Sequence, residues 1–118
     1  MSTSNNEQYE KRAKDPFDIL IHEKGLRISN MLLDKNLDLI VIILNNGKVL
    51  QSHISYYQRL KEATQEQLNQ WRLISGGVGV CWENLNEDLS VKGFIKTAVL
   101  NSALLDLQDN KPLNNIVA

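Results

Sequence analysis

A single cysteine, Cys81, is the only thiol in this chain of 118 residues, so an intramolecular disulfide framework is excluded and a reducing compartment is expected. No apolar run approaches the roughly 18 residues that a membrane-spanning helix needs. The first residues, Met1 to Lys14, lack the apolar centre of a secretory signal. An excess of one charge is missing too, because 13 basic residues stand against 14 acidic ones for a net of -1. Such a balance creates no whole-chain field to draw in nucleic acid or an anionic membrane. The two histidines, His22 and His53, stand alone with no second ligand at metal spacing. These absences point to a cytoplasmic, membrane-free protein. Its 42% hydrophobic content gives room for one domain and one core.

What is present reads as an α+β chain. Residues 1–16 are rich in Ser, Asn, Gln and charge, a composition that cannot offset the entropy of ordering, and are expected to be a disordered tail. Residues 17–108 form the domain and 109–118 a flexible tail. Phe17 to Ile21 is either a first strand or a cover over the core edge. Arg27 to Leu33 and Leu37 to Leu44 read as a hairpin around Asp34-Lys35-Asn36. The second of these runs is nearly continuous in apolar residues, which places both its faces out of water, in a central strand or against another subunit. Asn45-Asn46-Gly47-Lys48 then predicts a type I′ turn into a third strand, Val49 to Ile54.

Two short helices follow. Tyr56 to Glu62 forms one, and Thr64 with Gln67 makes a capping box for the next. Trp71 to Ile74 and Val78 to Trp82 predict a strand pair around Ser75-Gly76-Gly77. The last helix starts at Ser90, with a broad stripe of apolar positions from Val91 to Leu105, and ends near Asp106 ahead of Pro112. The architecture expected is a single small domain, a curved antiparallel sheet of four to six strands with two short inserted helices and a longer C-terminal helix.

Tyr56-Tyr57-Gln58-Arg59-Leu60, Ala63-Thr64-Gln65-Glu66-Gln67, Trp71-Arg72-Leu73-Ile74, Gly79-Val80-Cys81-Trp82, Leu85, Glu87-Asp88-Leu89-Ser90-Val91 and Gly93 follow one another in an order and spacing that resembles a small bacterial family, domain of unknown function 2442. The likeness spans about residues 25–95. It implies a compact α+β domain in a cytoplasmic bacterial protein with no assigned reaction. Some members of that family carry a helix-turn-helix behind the domain or are encoded beside a second small protein.

No reactive constellation emerges from the residues. The acidic loop Glu83 to Asp88 lacks the alternating oxygen ligands and glycine bend of a calcium loop, and Glu87 and Asp88 suit the ground ahead of a helix start, where negative charge is favoured. Gly76-Gly77-Val78-Gly79 lacks the Gly-Lys-Ser/Thr ending of a phosphate loop and reads as a turn or bulge. Cys81 has no evident base beside it and resembles a small buried apolar side chain. Catalytic, cofactor and metal residues are therefore assigned to none. Tyr57, Arg59, Arg72, Trp82, Glu87 and Asp88 are the candidate partner contacts, with a core role for Trp82 and a solvated face for the Tyr57, Arg59 and Arg72 group as the plain alternatives.

The function this supports is a non-catalytic protein-binding or regulatory module, antitoxin-like in acting with an adjacent small protein or with a second copy of itself. Its motive is an apolar load in Leu37 to Leu44 and in the last helix that is generous for a chain this short. The alternative is a nucleic-acid-binding or transcription-associated accessory domain, motivated by the family members that add a helix-turn-helix and by the Tyr57, Arg59 and Arg72 group, although Arg59, Lys61 and Arg72 are few where phosphate recognition usually recruits more. An enzyme would have to work with Glu87, Asp88 and Cys81. No cofactor and no small-molecule substrate are implied.

Overall fold

Alternation and turn chemistry build the first unit. The computed structural model describes residues 15–108, so the tails expected over 1–16 and 109–118 lie outside the described residues except for Asp15 and Pro16, which start the first helical turn and belong to the domain. It opens with a helical turn, α1 (Pro16–Asp18), continued by a π-helical turn over Ile19–Glu23. Phe17 to Ile21 is thus helical and not a strand, because Asp15 caps the turn by accepting from the Phe17 amide at 2.8 Å and Pro16 supplies the helical φ. It does cover the core edge, burying Ile21. Strands β1 (Ile28–Asp34), β2 (Leu39–Leu44) and β3 (Val49–Ser52) form an antiparallel sheet in that order, with β2 central.

Both hairpin turns rely on a left-handed residue. The Asn45-Asn46-Gly47 loop is not the expected type I′ turn, since Gly47 has positive φ and Asn46 does not. The Gly47 amide donates to Leu44 O at 3.0 Å and the Leu44 amide to Lys48 O at 2.9 Å, the three-residue loop in which a type I turn hands over to a left-handed glycine. In the other hairpin Asp38, φ 52°, takes that place.

A 3₁₀ turn over Ile54–Tyr56 leads to α2 (Gln58–Lys61) and α3 (Gln65–Leu68). Thr64 begins α3 with a complete capping box, as its spacing to Gln67 predicts. Gln65 reaches back to the Leu33 carbonyl at 2.9 Å and accepts from the Lys35 amide at 2.8 Å, tying α3 to the first hairpin.

The remaining strands do not join the first sheet. β4 (Arg72–Ile74), β5 (Gly79–Trp82) and β6 (Glu87–Ser90) make a second antiparallel sheet with β5 central, so six described strands divide three and three. Gly77 brings the sheets together. Its φ of 106° and its approach to the Ile28 backbone leave no room for a Cβ. The chain ends its described part in α4 (Val91–Gln108), started by Ser90, whose hydroxyl accepts from the Gly93 amide at 3.0 Å. Ile40, Ile42, Leu60, Leu68, Val80, Trp82, Val91 and Phe94 fill one continuous core between the sheets and the helices.

Candidate functional site

The arrangement closest to a reactive constellation involves Asp38, His53 and Ser55. Ser55 donates from its hydroxyl (2.6 Å) and its amide (2.8 Å) to the Asp38 carboxylate, and His53 Nδ1 lies 2.9 Å from the Asp38 carbonyl oxygen. The Ser55 hydroxyl, more than any other partner, holds the Asp38 carboxyl below the ordinary carboxylate range. An activated serine donates to an imidazole that a carboxylate steadies from the far side. Here the serine donates to the carboxylate itself, so the cluster is a cap that fixes the Ile54–Tyr56 turn onto the β1–β2 loop. Among the described residues no group of three or more His, Cys, Asp or Glu side chains converges as a metal site.

The sequence-selected contacts are scattered across the surface. Trp82 is a core residue and not a surface contact, because it is 0% exposed and its indole donates to Leu68 O at 2.9 Å inside the core. Tyr57 packs edge-on against Phe94, with ring centroids 6.0 Å apart, and shares with Asp88 a cleft of about 220 Å³. Arg59 donates to the Asn86 carbonyl beside another groove. Arg72 is ion-paired with Glu83 in a third, next to Trp71. Glu87 and Asp88 belong to strand β6 and do not simply precede the helix. The acidic residues masked this strand, although Leu85, Glu87 and Leu89 are the half-buried positions of an alternating edge. Asn86, φ 53°, bends the chain into it.

Two surfaces that the sequence marked only by apolar content are the least satisfied. The first is the outer face of the β1-β2-β3 sheet. Ile40, Ile42 and Leu44 point into the core, which turns Leu39, Val41 and Ile43 outward. Register places Leu32 opposite Val41 and Val49 opposite Ile43, with Gln51 and Asn30 completing the two rows, so a diagonal apolar patch crosses the three strands between polar flanks. Leu32 and Val49 are 61% and 53% exposed.

The second surface is the far half of α4. Its near half is anchored: Val91, Phe94 and Ile95 are buried, and Lys92 on the outward side bonds Asp15 at 3.0 Å and Asp18 at 2.9 Å. Beyond Lys96 the outward side becomes apolar. Leu100, Ala103 and Leu107 share one exposed stripe of the helix, with Leu104 between it and the inward cleft, and Val99 and Leu105 on the other sides are 51% and 66% exposed as well. On the inward side Asn101, Leu104, Leu105 and Gln108 meet His53 and Tyr56 across a cleft of about 270 Å³. The expected stripe exists, but only its first turns reach the core. Among the described residues no helix is long and apolar enough to cross a membrane.

Comparison with known proteins places this arrangement. A family model described as a protein of unknown function, DUF2442, matches residues 34–99. Two solved structures are similar: a protein of unknown function from Rhodospirillum rubrum, at 26% identity and a TM-score of 0.56, covers 62% of this chain and 88% of its own. An uncharacterised protein from Chromobacterium violaceum, solved by solution NMR, has 29% identity and a TM-score of 0.56 and covers 68% of this chain and 72% of its own. No curated protein matches the chain.

Proposed function

The chain belongs to the DUF2442 family, and from that premise we propose that it is a non-catalytic protein-binding module that works through its sheet face and its last helix. The observation that carries the reading is the far half of α4, where Leu100 and Leu107 are 63% and 73% exposed on one helical stripe and Val99, Leu104 and Leu105 around it are 51%, 51% and 66% exposed. An apolar stripe of this kind normally faces a core or a partner. A regulatory role beside an adjacent small protein, antitoxin-like in kind, and action as a homodimer both fit it. Nucleic-acid binding has less support, since Arg72 is already paired with Glu83 and Arg59 is engaged by the Asn86 carbonyl. Light scattering after size exclusion, combined with gentle purification from native cells, tests the reading. A complex with itself or with a specific protein, lost on Leu100→Glu, is expected. A strict monomer at high concentration with no stable companion would contradict it.

A further inference from the structure

We infer that the occupant of both apolar surfaces is a second copy of this chain, the far half of α4 from each copy lying across the outer face of the other's β1-β2-β3 sheet. This deepens the protein-binding reading and rests on it. Within one chain the two surfaces cannot meet. Phe94 and Ile95 fix α4 to the core side of the sheet, while Leu32, Val41 and Val49 lie on the opposite side, and the helix is continuous through Gln108. A helix laid on a sheet face is the ordinary way to complete a layered domain.

Size and charge agree with the pairing. The twelve residues from Thr97 to Gln108 span about 18 Å as helix, and the six of β2 span about 20 Å as strand. Residues 97–105 carry no charged side chain, and on the sheet the outward positions, Asn30 and Gln51 among them, carry none apart from Asp34. Charge is confined to the margins, at Lys96 and Asp106 on the helix and Asp34 on the sheet, as in an interface with a desolvated centre. The helix stripe alone supplies only a few side chains, whereas a standard interface engages roughly 20 residues or more per partner. Using both patches on each copy brings the pairing toward that size. A two-fold axis achieves this, since it lets helix meet sheet twice and closes the assembly.

The test is a complementation. Leu100→Glu and Leu32→Lys each place a charge on an exposed position, so folding, followed by circular dichroism and melting, is retained. The wild-type chain is expected to scatter as a dimer at micromolar concentration. Either variant alone weakens the dimer on the order of 100-fold. Mixing the two restores it, because the mixed pair has one native contact and one Glu-Lys contact. Three results would overturn the inference. The mixture stays monomeric; or Leu100→Glu breaks the dimer while Leu32→Lys leaves it intact, which is helix-on-helix pairing; or the wild-type chain is monomeric throughout. In the last case a specific companion protein lost on Leu100→Glu leaves the protein-binding reading standing with a different occupant, whereas no companion removes both.

Discussion

The two central strands, β2 and β5, are both apolar along their length and meet different fates. All four residues of β5 are buried, because one face meets the main core and the other is covered within the chain. In β2 every second residue is buried and the intervening Leu39, Val41 and Ile43 stay partly open. Continuous apolar sequence in a strand implies cover on both faces. In β5 this chain provides that cover, and in β2 it provides half of it. The same contrast recurs along α4, whose near half is anchored by Phe94 and Lys92 and whose far half keeps an apolar stripe in the open.

The largest effect expected from this contrast comes from truncating one residue on each strand. Trp82→Ala should destabilise by about 3–5 kcal/mol in urea titration, through a large cavity and an orphaned Leu68 carbonyl. Val41→Ala, measured in dilute protein, should cost about 1 kcal/mol or less. Equal losses at the two sites would erase the distinction between covered and open strands.

A smaller effect separates the glycines. Gly77→Ala should cost about 2–3 kcal/mol, because it combines a left-handed φ with collision against Ile28, the contact that joins the two sheets. Gly47→Ala meets open space and should cost about 1 kcal/mol from its φ alone. Chemical denaturation of the two variants side by side decides whether the sheets are joined where Gly77 meets Ile28.

Much of the scaffold was legible because it is written in local chemistry. Thr64 with Gln67, Ser90 ahead of the last helix, and the Gly47 hairpin each place a specific donor, acceptor or positive φ where one element ends and another begins. What escaped depends on distant residues. The division into two sheets is set by which strand edges meet, and β6 was hidden behind Glu87 and Asp88, whose charge outweighs the alternation of its half-buried neighbours. The Asp38, His53 and Ser55 cap joins a hairpin loop to a turn some fifteen residues on and has no sequence signature. For the surface, composition announced an apolar excess, but the basic-aromatic group Tyr57, Arg59 and Arg72 dispersed into three separate clefts.

Removing the α3 cap is a finer probe. Thr64→Ala should lower stability by about 1 kcal/mol, the ordinary value of a threonine N-cap, with Thr64→Ser recovering most of it. Thermal melts of both variants check this. A null result would mean that packing of Leu68 alone holds α3.

Acid titration should give the smallest effect. The carboxyls of Asp15 and Asp38 are held below their ordinary value, Asp15 chiefly by the Phe17 amide and Asp38 chiefly by the Ser55 hydroxyl. Their stabilising contributions are therefore complete above the unfolded carboxylate value and fade as pH falls through the folded one. Lys92, raised chiefly by its bond to Asp18, behaves in the opposite sense, contributing below the unfolded lysine value and losing that contribution as pH rises through the folded one. Melting curves of Asp38→Asn against the wild type should converge in strong acid and separate near neutrality. A constant gap across pH would show that the Asp38 charge plays no part.

The central claim is that the open faces of β2 and of the far half of α4 are covered by one another across two copies. Isotope-filtered NMR on an equal mixture of labelled and unlabelled chain tests it most directly. Cross-peaks between the methyls of Leu100 or Leu107 of one copy and Val41 or Leu32 of the other are predicted. A particle of 13.4 kDa with no intermolecular cross-peaks would contradict it.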